Sequence, residues 1–329
     1  MSHHMYAAID IGGTKLAAGL VRDDGELLRR VELPTPAHEP AEYIFATVEK
    51  LLDTLAAEPM WAQVSGIGVG SAGPVDPKRG TVSPVNIPAW RDFPLIAQIA
   101  AHPAVASRSL PVELTGDASA MAVGEHWRGA ARGYDHALCL VVSTGVGAGL
   151  ILDGAARTGP SGNAGHLGHI SVELDGEDCP CGSRGCLETI ASGTAIARWA
   201  VNHGWRPGAA PAGCCTPPAN PTRRASAADV AASASSGNEI ALAAFERAGR
   251  ALAAGIAAVT ALLDVQVAVI GGGVAKAGPI LFDPLHRHLK RYAALPFTRD
   301  LAVTPAALGD DAGLIGAAAA IRLRTGPRR

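Results

Sequence analysis

Two segments of the sequence join a glycine turn to hydroxyl and charged side chains. The first, at residues 10–15, contains a carboxylate, two glycines, a hydroxyl and an ammonium group. The second, at residues 143–147, contains two hydroxyls and two glycines. Glycine turns leave backbone amides open to an anion, and a nearby acid can hold Mg²⁺ directly or through water. Both segments therefore predict phosphate binding. The candidate residues are Asp10, Gly12, Gly13, Thr14, Lys15, Ser143, Thr144, Gly145 and Gly147.

Other nucleotide-binding patterns fit these glycines less well. The sequence contains no G-x-x-x-x-G-K-[ST] string, which excludes a Walker A loop. A dinucleotide-binding turn leads from a strand into a helix, whereas the residues after the second turn predict another strand. Hairpins without a ligand remain the alternative if either turn is taken alone.

A third glycine cluster follows a predicted strand at 265–270 and precedes a predicted helix. Gly271, Gly272 and Gly273 have no side chains, so an adenosine could approach the backbone closely there. An ordinary turn from strand to helix is compatible with the same residues. The cluster is therefore a candidate part of a nucleotide site.

Three cysteines lie within eight residues, and a histidine precedes them. In a reducing compartment such a cluster favours metal binding over disulfides. His169, Cys179, Cys181 and Cys186 provide the imidazole and three thiols of a closed tetrahedral zinc site. A closed site leaves no position for water, so we expect a structural Zn²⁺ that braces the loop carrying Glu188. Free buried cysteines beside a histidine are the alternative.

Asp117 stands where a predicted extended segment, 111–114, meets a predicted helix, 118–128. An aspartate at such a position can simply cap the helix. Beside two phosphate-binding turns another role is favoured, because phosphoryl transfer to a hydroxyl needs a carboxylate that takes the hydroxyl proton. We therefore predict that Asp117 is the general base of a kinase.

Strand and helix patterns alternate along the chain, which predicts an α/β fold. Each glycine turn lies between two predicted strands, and this repetition suggests two duplicated domains that face one nucleotide. Helices are predicted at 41–57, 118–128 and 312–323, with alanine-rich helices between about 226 and 263. Residues 204–224 are rich in Pro, Gly and Ala, and we expect an exposed, mobile loop there.

Length and composition limit the class of protein. At 329 residues the chain is long for one hydrophobic core, which favours two domains. A formal net charge of −2 offers no general attraction to nucleic acid, and glycines interrupt the longest apolar runs, so no membrane span is expected. The first residues lack the apolar stretch of a signal peptide. We therefore predict a cytoplasmic enzyme that acts on small molecules.

Six segments follow, in order, the pattern of the ROK family of sugar kinases, which the chain resembles from Asp10 to about Ala275. The zinc cluster joined to the phosphate turn is the most specific part of this resemblance. The segments are D-I-G-G-T-K at 10–15, S-A-G-P-V-D at 71–76, G-D-A-S-A at 116–120, the second glycine turn at 143–149, G-H-L-G-H at 165–169 and C-x-C-x₄-C-L-E at 179–188.

The resemblance implies two actin-like (ribonuclease H-like) α/β domains with a cleft between them. These would be 1–117 and 118–311, with a last helix at about 312–325 that packs back on the first domain. It also implies Mg²⁺·ATP bound across both glycine turns, phosphorylation of a hexose or N-acetylhexosamine at O6, and a homodimer.

The family's site residues carry over by position. Asp117 resembles the catalytic base. The positions that correspond to sugar contacts are Gly73, Asn86, Asp117, His166, His169 and Glu188. Because the glycine turns lie elsewhere in the chain than His169 and Glu188, we expect zinc loss to impair sugar use more than ATP affinity.

Two positions depart from the common ROK pattern. This chain has His166 where ROK kinases commonly have Glu, and Gly116 where they have Asn before the catalytic Asp. At His166 the chain resembles the bacterial N-acetylmannosamine kinases, which favours that sugar. At Gly116 the missing Asn side chain removes a sugar hydrogen bond worth about 0.5–1.5 kcal/mol. A glucokinase or another ROK hexokinase is the enzyme alternative. A sugar-sensing ROK regulator is the non-enzyme alternative, but we expect no DNA-binding domain because only nine residues precede Asp10.

Overall fold

The computed structural model describes residues 4–207 and 225–325. Most of the loop predicted at 204–224, namely residues 208–224, lies outside the described residues. None of the described helices is long and apolar enough to cross a membrane.

Twelve strands and ten α-helices occur in the described part of the chain. The strands are β1 Met5–Ile11, β2 Lys15–Arg22, β3 Leu27–Pro34, β4 Val64–Ser71, β5 Val75–Asp76, β6 Thr81–Val82, β7 Val112–Gly116, β8 Ala137–Val142, β9 Val146–Leu152, β10 Ala155–Ala156, β11 Val267–Gly271 and β12 Ala302–Pro305. The helices are α1 Ala41–Ala56, α2 Leu95–Ala101, α3 Pro103–Ala106, α4 Asp117–Arg128, α5 Glu188–Ala191, α6 Gly193–Asn202, α7 Ala227–Ser235, α8 Glu239–Leu263, α9 Pro279–Tyr292 and α10 Ala312–Thr325. The helices predicted at 41–57, 118–128 and 312–323, and the alanine-rich helices between about 226 and 263, are confirmed with ends shifted by one or two residues. After the third glycine cluster a 3-10 helix, Val274–Ala277, comes first, and α9 begins at Pro279.

Strands β3, β2, β1, β4 and β7 form the first sheet in that order. β1 is antiparallel to β2 and parallel to β4, and β4 is parallel to β7. Successive side chains of β1 point to opposite faces, so Ala7 and Ile9 pack in a core with Leu51 of α1, whereas Tyr6 and Ala8 pack with α10. Each face of this sheet is therefore covered by a helix.

Strands β10, β9, β8, β11 and β12 form the second sheet in that order. The short strands β5 and β6 pair with each other. If the strands of each sheet are numbered in the order in which they occur along the chain, both sheets have the same spatial order: third, second, first, fourth, fifth. In each sheet the glycine turn joins the first strand to the second. The duplication suggested by the two turns is therefore present in the strand order.

The chain divides into two compact units. The first unit contains Met1–Cys139, Gly149–Gly165 and Ala306–Arg329, and the second contains Leu140–Ala148 and His166–Pro305. Helices α4 and α10 both belong to the first unit, whereas the sequence interpretation placed α4 in a second domain. The domain boundaries at 117 and 311 stay a prediction.

Candidate active site

The first glycine turn connects β1 to β2 and is held by hydrogen bonds of the first unit. The N–H of Gly12 donates to the Lys15 carbonyl over 3.1 Å. Thr35 holds the turn from outside, because its N–H donates to the Thr14 carbonyl (3.0 Å) and its hydroxyl donates to the Gly12 carbonyl (2.7 Å). The Lys15 ammonium lies 3.7 Å from Glu32, and both side chains are about half exposed. The turn thus has a fixed backbone and an accessible cation.

Asp10 lies near the end of β1, just before this turn. Burial, and next the negative charge of Asp117, raise the pKa of Asp10 from 3.8 to about 7, while the charges of Lys15 and Arg30 lower it. The carboxylate also lies against the first turn of α10, where a Cβ on Gly313 would come within 2.6 Å of Oδ2. A bound cation would favour the charged form of such an acid. Asp10 therefore fits as a residue that would hold Mg²⁺.

Asp117 is the first residue of α4. The N-cap position is occupied by Gly116, so Asp117 is not the cap that the simpler interpretation required. Its carboxylate accepts the N–H of Ala118 over 2.7 Å. The residue is half-buried, so its carboxylate is oriented by the backbone without being sealed from solvent.

Two predicted sugar contacts of the first unit, Gly73 and Asn86, lie on hydrogen-bonded loops. The Gly73 carbonyl accepts the N–H of Val85 over 3.3 Å. The side-chain amide of Asn86 lies directly on Gly13, where an added Cβ would overlap it. Sequence reasoning missed Arg91, whose guanidinium holds the Asn86 loop by donating to three carbonyls at 2.7–3.2 Å. Those carbonyls belong to Pro84, Ile87 and Trp90.

The second glycine turn connects β8 to β9 and is held by residues of the second unit. The N–H of Ser143 donates to the Gly145 carbonyl over 2.9 Å. Two residues at the start of α6 hold the turn from outside. The N–H of Gly193 donates to the Ser143 carbonyl (2.7 Å), and the hydroxyl of Thr194 donates to the Thr144 carbonyl (2.9 Å). The turn is therefore fixed to α6.

Glu188 contacts the second glycine turn directly. Its Oε2 accepts the N–H of Val146 over 2.8 Å, and a Cβ on Gly145 would come within 2.5 Å of the same oxygen. Glu188 is therefore in contact with the glycine turn, although the two are 42 residues apart in the chain. A change at Glu188 should therefore also disturb the glycine turn.

The predicted metal ligands come together in the second unit. His169, Cys179, Cys181 and Cys186 each place a donor atom within 4.8 Å of the others. Cys179 Sγ lies 3.7 Å from His169 Nδ1, and Cys181 Sγ lies 3.7 Å from Cys186 Sγ. Tetrahedral Zn²⁺ with bonds of about 2.0–2.3 Å would hold its ligand atoms about 3.5–3.8 Å apart. The four residues therefore fit a structural Zn²⁺.

His169 connects the metal cluster to the predicted sugar contacts. Its Nδ1 faces Cys179, so a metal bound there would leave Nε2 for a sugar hydroxyl. The His166 ring lies beside it, with ring centroids 6.3 Å apart and an angle of 24° between the planes. The N–H of His169 donates to the His166 carbonyl over 3.1 Å, which keeps the two rings adjacent.

The third glycine cluster ends β11 and borders a cavity. Gly272 has a φ of 89° and lies on the backbone of Val142, so this position requires glycine. A cavity of about 150 Å³ opens beside Gly273, with walls that include Phe245 and Lys276. Largely apolar walls suit a flat uncharged base better than a phosphate chain. Sequence reasoning found the glycines but not the walls from α7 and α8.

The ROK family model matches residues 6–323 of the chain. The chain belongs to the ROK family. Its relatives include the glucokinase of Thermotoga maritima, 34% identical over 320 residues that cover 97% of each chain. They also include the N-acetylmannosamine kinase of Citrobacter koseri, 36% identical over 314 residues that cover 94% of this chain and 96% of the relative.

A solved ROK structure supports the same assignment. A ROK family glucokinase from Streptomyces griseus, in complex with glucose and AMPPNP, matches with a TM-score of 0.77 and 34% identity over 95% of this chain and 98% of that one. The predicted fold class of two actin-like α/β domains is confirmed. The ROK relatives support sugar kinase activity, but glucokinases and N-acetylmannosamine kinases are about equally similar. The homodimer and the cytoplasmic location stay predictions from the sequence.

Proposed function

We propose that this ROK protein is an ATP-dependent kinase that phosphorylates N-acetylmannosamine at O6. The observation that carries the kinase assignment is the pairing of two acids in the first unit. Asp10 precedes the phosphate turn, Asp117 begins α4, and they are close enough for the charge of Asp117 to raise the pKa of Asp10. Phosphoryl transfer to a hydroxyl needs one acid for Mg²⁺ and another for the proton.

Each group of the first unit then has a chemical task. The amides of the glycine turn and the Lys15 ammonium bind ATP phosphates. Asp10 would hold Mg²⁺, which would supply positive charge to the phosphate group. Asp117 accepts the O6 proton as O6 bonds to the γ-phosphorus and the bond from that phosphorus to the β,γ-bridging oxygen breaks. The products are sugar 6-phosphate and ADP, and Asp117 then loses its proton to solvent.

The second unit supplies binding and orientation in this proposal. Its glycine turn binds ATP phosphates, and the cavity beside Gly273 takes the adenosine. The Cys₃His residues would hold a structural Zn²⁺ and so keep His169 and Glu188 in place for the sugar. No catalytic step is assigned to this metal, since four protein ligands leave no open position.

Two residues favour an N-acetylhexosamine over glucose. A glutamate at 166 would accept two hydrogen bonds from ring hydroxyls, whereas the neutral imidazole of His166 has one donor and one acceptor. The donor suits the acetamido carbonyl at C2. A Cβ on Gly116 would meet only Ser119 Oγ, 4.0 Å away, so the space of the usual Asn side chain is open to a bulkier sugar.

Glucose is the second candidate substrate. The glucokinase of Thermotoga maritima is nearly as similar to this chain as the N-acetylmannosamine kinase of Citrobacter koseri. The choice therefore depends on the His166 and Gly116 positions and not on overall similarity.

Coupled ADP-release kinetics with N-acetylmannosamine, N-acetylglucosamine and glucose test the proposal. We expect kcat/KM to be at least about tenfold higher for N-acetylmannosamine than for glucose, because a site built around a polar group rejects the analogue lacking it. His166→Glu should move the ranking toward glucose, and Gly116→Asn should reduce use of both acetamido sugars. Glucose as the best substrate, or an unchanged ranking in His166→Glu, would contradict the sugar assignment. ADP release with none of these sugars would contradict both candidate substrates.

A further inference from the structure

In the first unit, a glycine of the phosphate turn lies under a side chain that the family resemblance assigns to the sugar. A Cβ at Gly13 would overlap the Nδ2, Cγ and Cβ atoms of Asn86. The Asn86 residue is exposed, while Arg91 fixes the loop that carries it. One side of the Asn86 amide therefore lies on the phosphate turn, and the residue remains accessible to a ligand.

The second unit repeats this arrangement with different residues. Gly145 lies under the carboxylate of Glu188, whose Oε2 would be 2.5 Å from an added Cβ. The same oxygen accepts the N–H of Val146, the next residue of the turn, over 2.8 Å. Here too a predicted sugar contact lies on the glycine turn.

The backbone conformation does not explain these two glycines. Neither Gly13 nor Gly145 has a φ in the left-handed region, so an alanine could adopt the same backbone at both positions. An alanine at either position would instead meet Asn86 or Glu188 and displace that side chain from its present place on the turn. The space left by the missing Cβ is thus filled by the covering side chain.

We propose that Gly13 and Gly145 are positioning residues for the sugar, in addition to being part of the phosphate turns. Each allows a sugar-binding side chain, Asn86 or Glu188, to lie at van der Waals distance on the turn. The inference rests on the proposed kinase function, because it takes the turns as phosphate sites and these side chains as sugar contacts. It assigns to two phosphate-turn glycines a role that their glycine-rich motif does not reveal.

Contact of this kind couples the two substrates. A sugar that fixes Asn86 or Glu188 also limits the movement of the turn beneath it, and phosphate that fixes the turn limits the side chain above it. Coupling between two binding sites is reciprocal, so each ligand must improve the affinity of the other by the same factor.

Alanine substitutions test the proposal through the separate KM values for sugar and ATP. Gly13→Ala and Gly145→Ala should each raise the sugar KM by about tenfold or more, the effect of displacing a polar contact. The ATP KM should rise much less. Gly12→Ala is the matched control, because its Cβ would meet only the Lys15 carbonyl of the turn itself, at 3.0 Å. That variant should change the ATP KM more than the sugar KM.

A double-mutant cycle separates positioning from general damage to the turn. If Gly13 acts through Asn86, Gly13→Ala should have little further effect on the sugar KM in an Asn86→Ala background. The same holds for Gly145→Ala in a Glu188→Ala background. Additive effects in both cycles, or equal rises of the sugar KM and the ATP KM in the single variants, would overturn the proposal.

Calorimetry with the sugar alone separates this inference from the proposed function. Titration of N-acetylmannosamine and glucose without ATP gives sugar Kd values that do not depend on turnover. An active wild type with unaltered sugar Kd in Gly13→Ala and Gly145→Ala would remove the positioning role and leave the kinase intact. A wild type that binds sugar but releases no ADP would contradict the proposed function, and the same Kd values would still decide the role of the glycines.

Discussion

The two glycine turns occupy the same place in two sheets of the same strand order, yet they carry different groups. The first has a carboxylate before it, Asp10, and an ammonium after it, Lys15. The second contains hydroxyls and glycines, and it is hydrogen-bonded to the start of α6 and to Glu188. The strand order is repeated but the charged residues are not, so in the proposed mechanism the charged residues assign proton transfer to the first unit.

The two halves also differ in what holds their key side chains. In the first unit, α4 begins with Asp117 and is anchored near its other end by the buried carboxylate of Glu125. Glu125 accepts the N–H groups of Ala130 (2.7 Å), Ala307 (3.1 Å) and Leu308 (2.9 Å). In the second unit, Glu188 follows the predicted metal ligand Cys186 by two residues. A hydrogen-bonded anchor and a metal anchor respond to different treatments, so the two halves can be disturbed separately.

The largest expected effect is on the chemical step in the first unit. Asp117→Asn should lower kcat by at least about 10²-fold, because the amide cannot take the hydroxyl proton. The fold should survive, since Glu125 anchors α4 independently of Asp117. Steady-state kinetics measure the loss, and nucleotide titration should give an ATP affinity within a few-fold of the wild type.

Glu49→Gln is the matched control, because it also replaces an acid by its amide but lies exposed on α1. It should behave as the wild type does. Turnover of Asp117→Asn at the wild-type rate would remove Asp117 from the mechanism. It would also contradict the assignment of proton transfer to the first unit and of binding to the second.

The next largest effect is on the metal in the second unit. Freshly purified protein should contain one zinc per chain, and Cys181→Ser should lose it. The kcat/KM for the sugar should fall by about 10–100-fold, the usual cost of disturbing groups that orient a site. Because Glu188 is bonded to Val146, the ATP KM should rise too, but less. Elemental analysis and kinetics on the same sample measure both.

Cys139→Ala provides the control, because Cys139 is a buried free thiol of β8 outside the cluster. That variant should keep its zinc and its kinetics. A zinc-free wild type with full activity would show that the cysteines serve packing alone and that the second half needs no metal anchor.

The sequence predicted the parts of the fold that depend on local pattern. The repeated strand, glycine turn and strand around Asp10 and Ser143 led to the duplicated sheets, and helical spacing located α1, α4 and α10. The cysteine spacing led to a cluster whose atoms do come together. These features depend on residues that are close together in the chain, so they can be predicted from local sequence patterns.

Long-range contacts could not be read in this way. Nothing near Glu188 indicates that its carboxylate binds Val146, which is 42 residues away in the chain, or that Glu125 anchors the segment before α10. Arg91 likewise has no motif, because its three acceptors are backbone carbonyls that any sequence possesses. Such contacts were visible only once the chain was folded.

The smallest expected effect concerns stability and the sign of its pH dependence in the first unit. Burial and the charge of Asp117 raise the pKa of Asp10 from 3.8 to about 7. The folded state therefore holds the Asp10 proton more tightly than the unfolded state does. The stabilisation from the protonated carboxyl is complete below about pH 4 and is lost as the pH rises to about 7. Ionised Asp10 should therefore destabilise the folded protein at neutral and higher pH when no cation is bound.

Asp10→Asn removes this titration and should gain stability relative to the wild type as the pH rises from 5 to 8. One pKa unit corresponds to about 1.4 kcal/mol, so the shift sets an upper limit near 4 kcal/mol, and the partial exposure of Asp10 reduces the expected gain to about 1–3 kcal/mol. Urea unfolding at pH 5, 6, 7 and 8 without Mg²⁺ measures it. Asp24→Asn is the control, because Arg22 lowers the pKa of Asp24 to about 2, so that acid does not titrate in this range.

Added Mg²⁺·ATP should then stabilise the wild type more than Asp10→Asn, since the ionised carboxylate is what holds the cation. If Mg²⁺·ATP stabilises the wild type and Asp10→Asn equally, Asp10 has only a structural role and does not hold Mg²⁺.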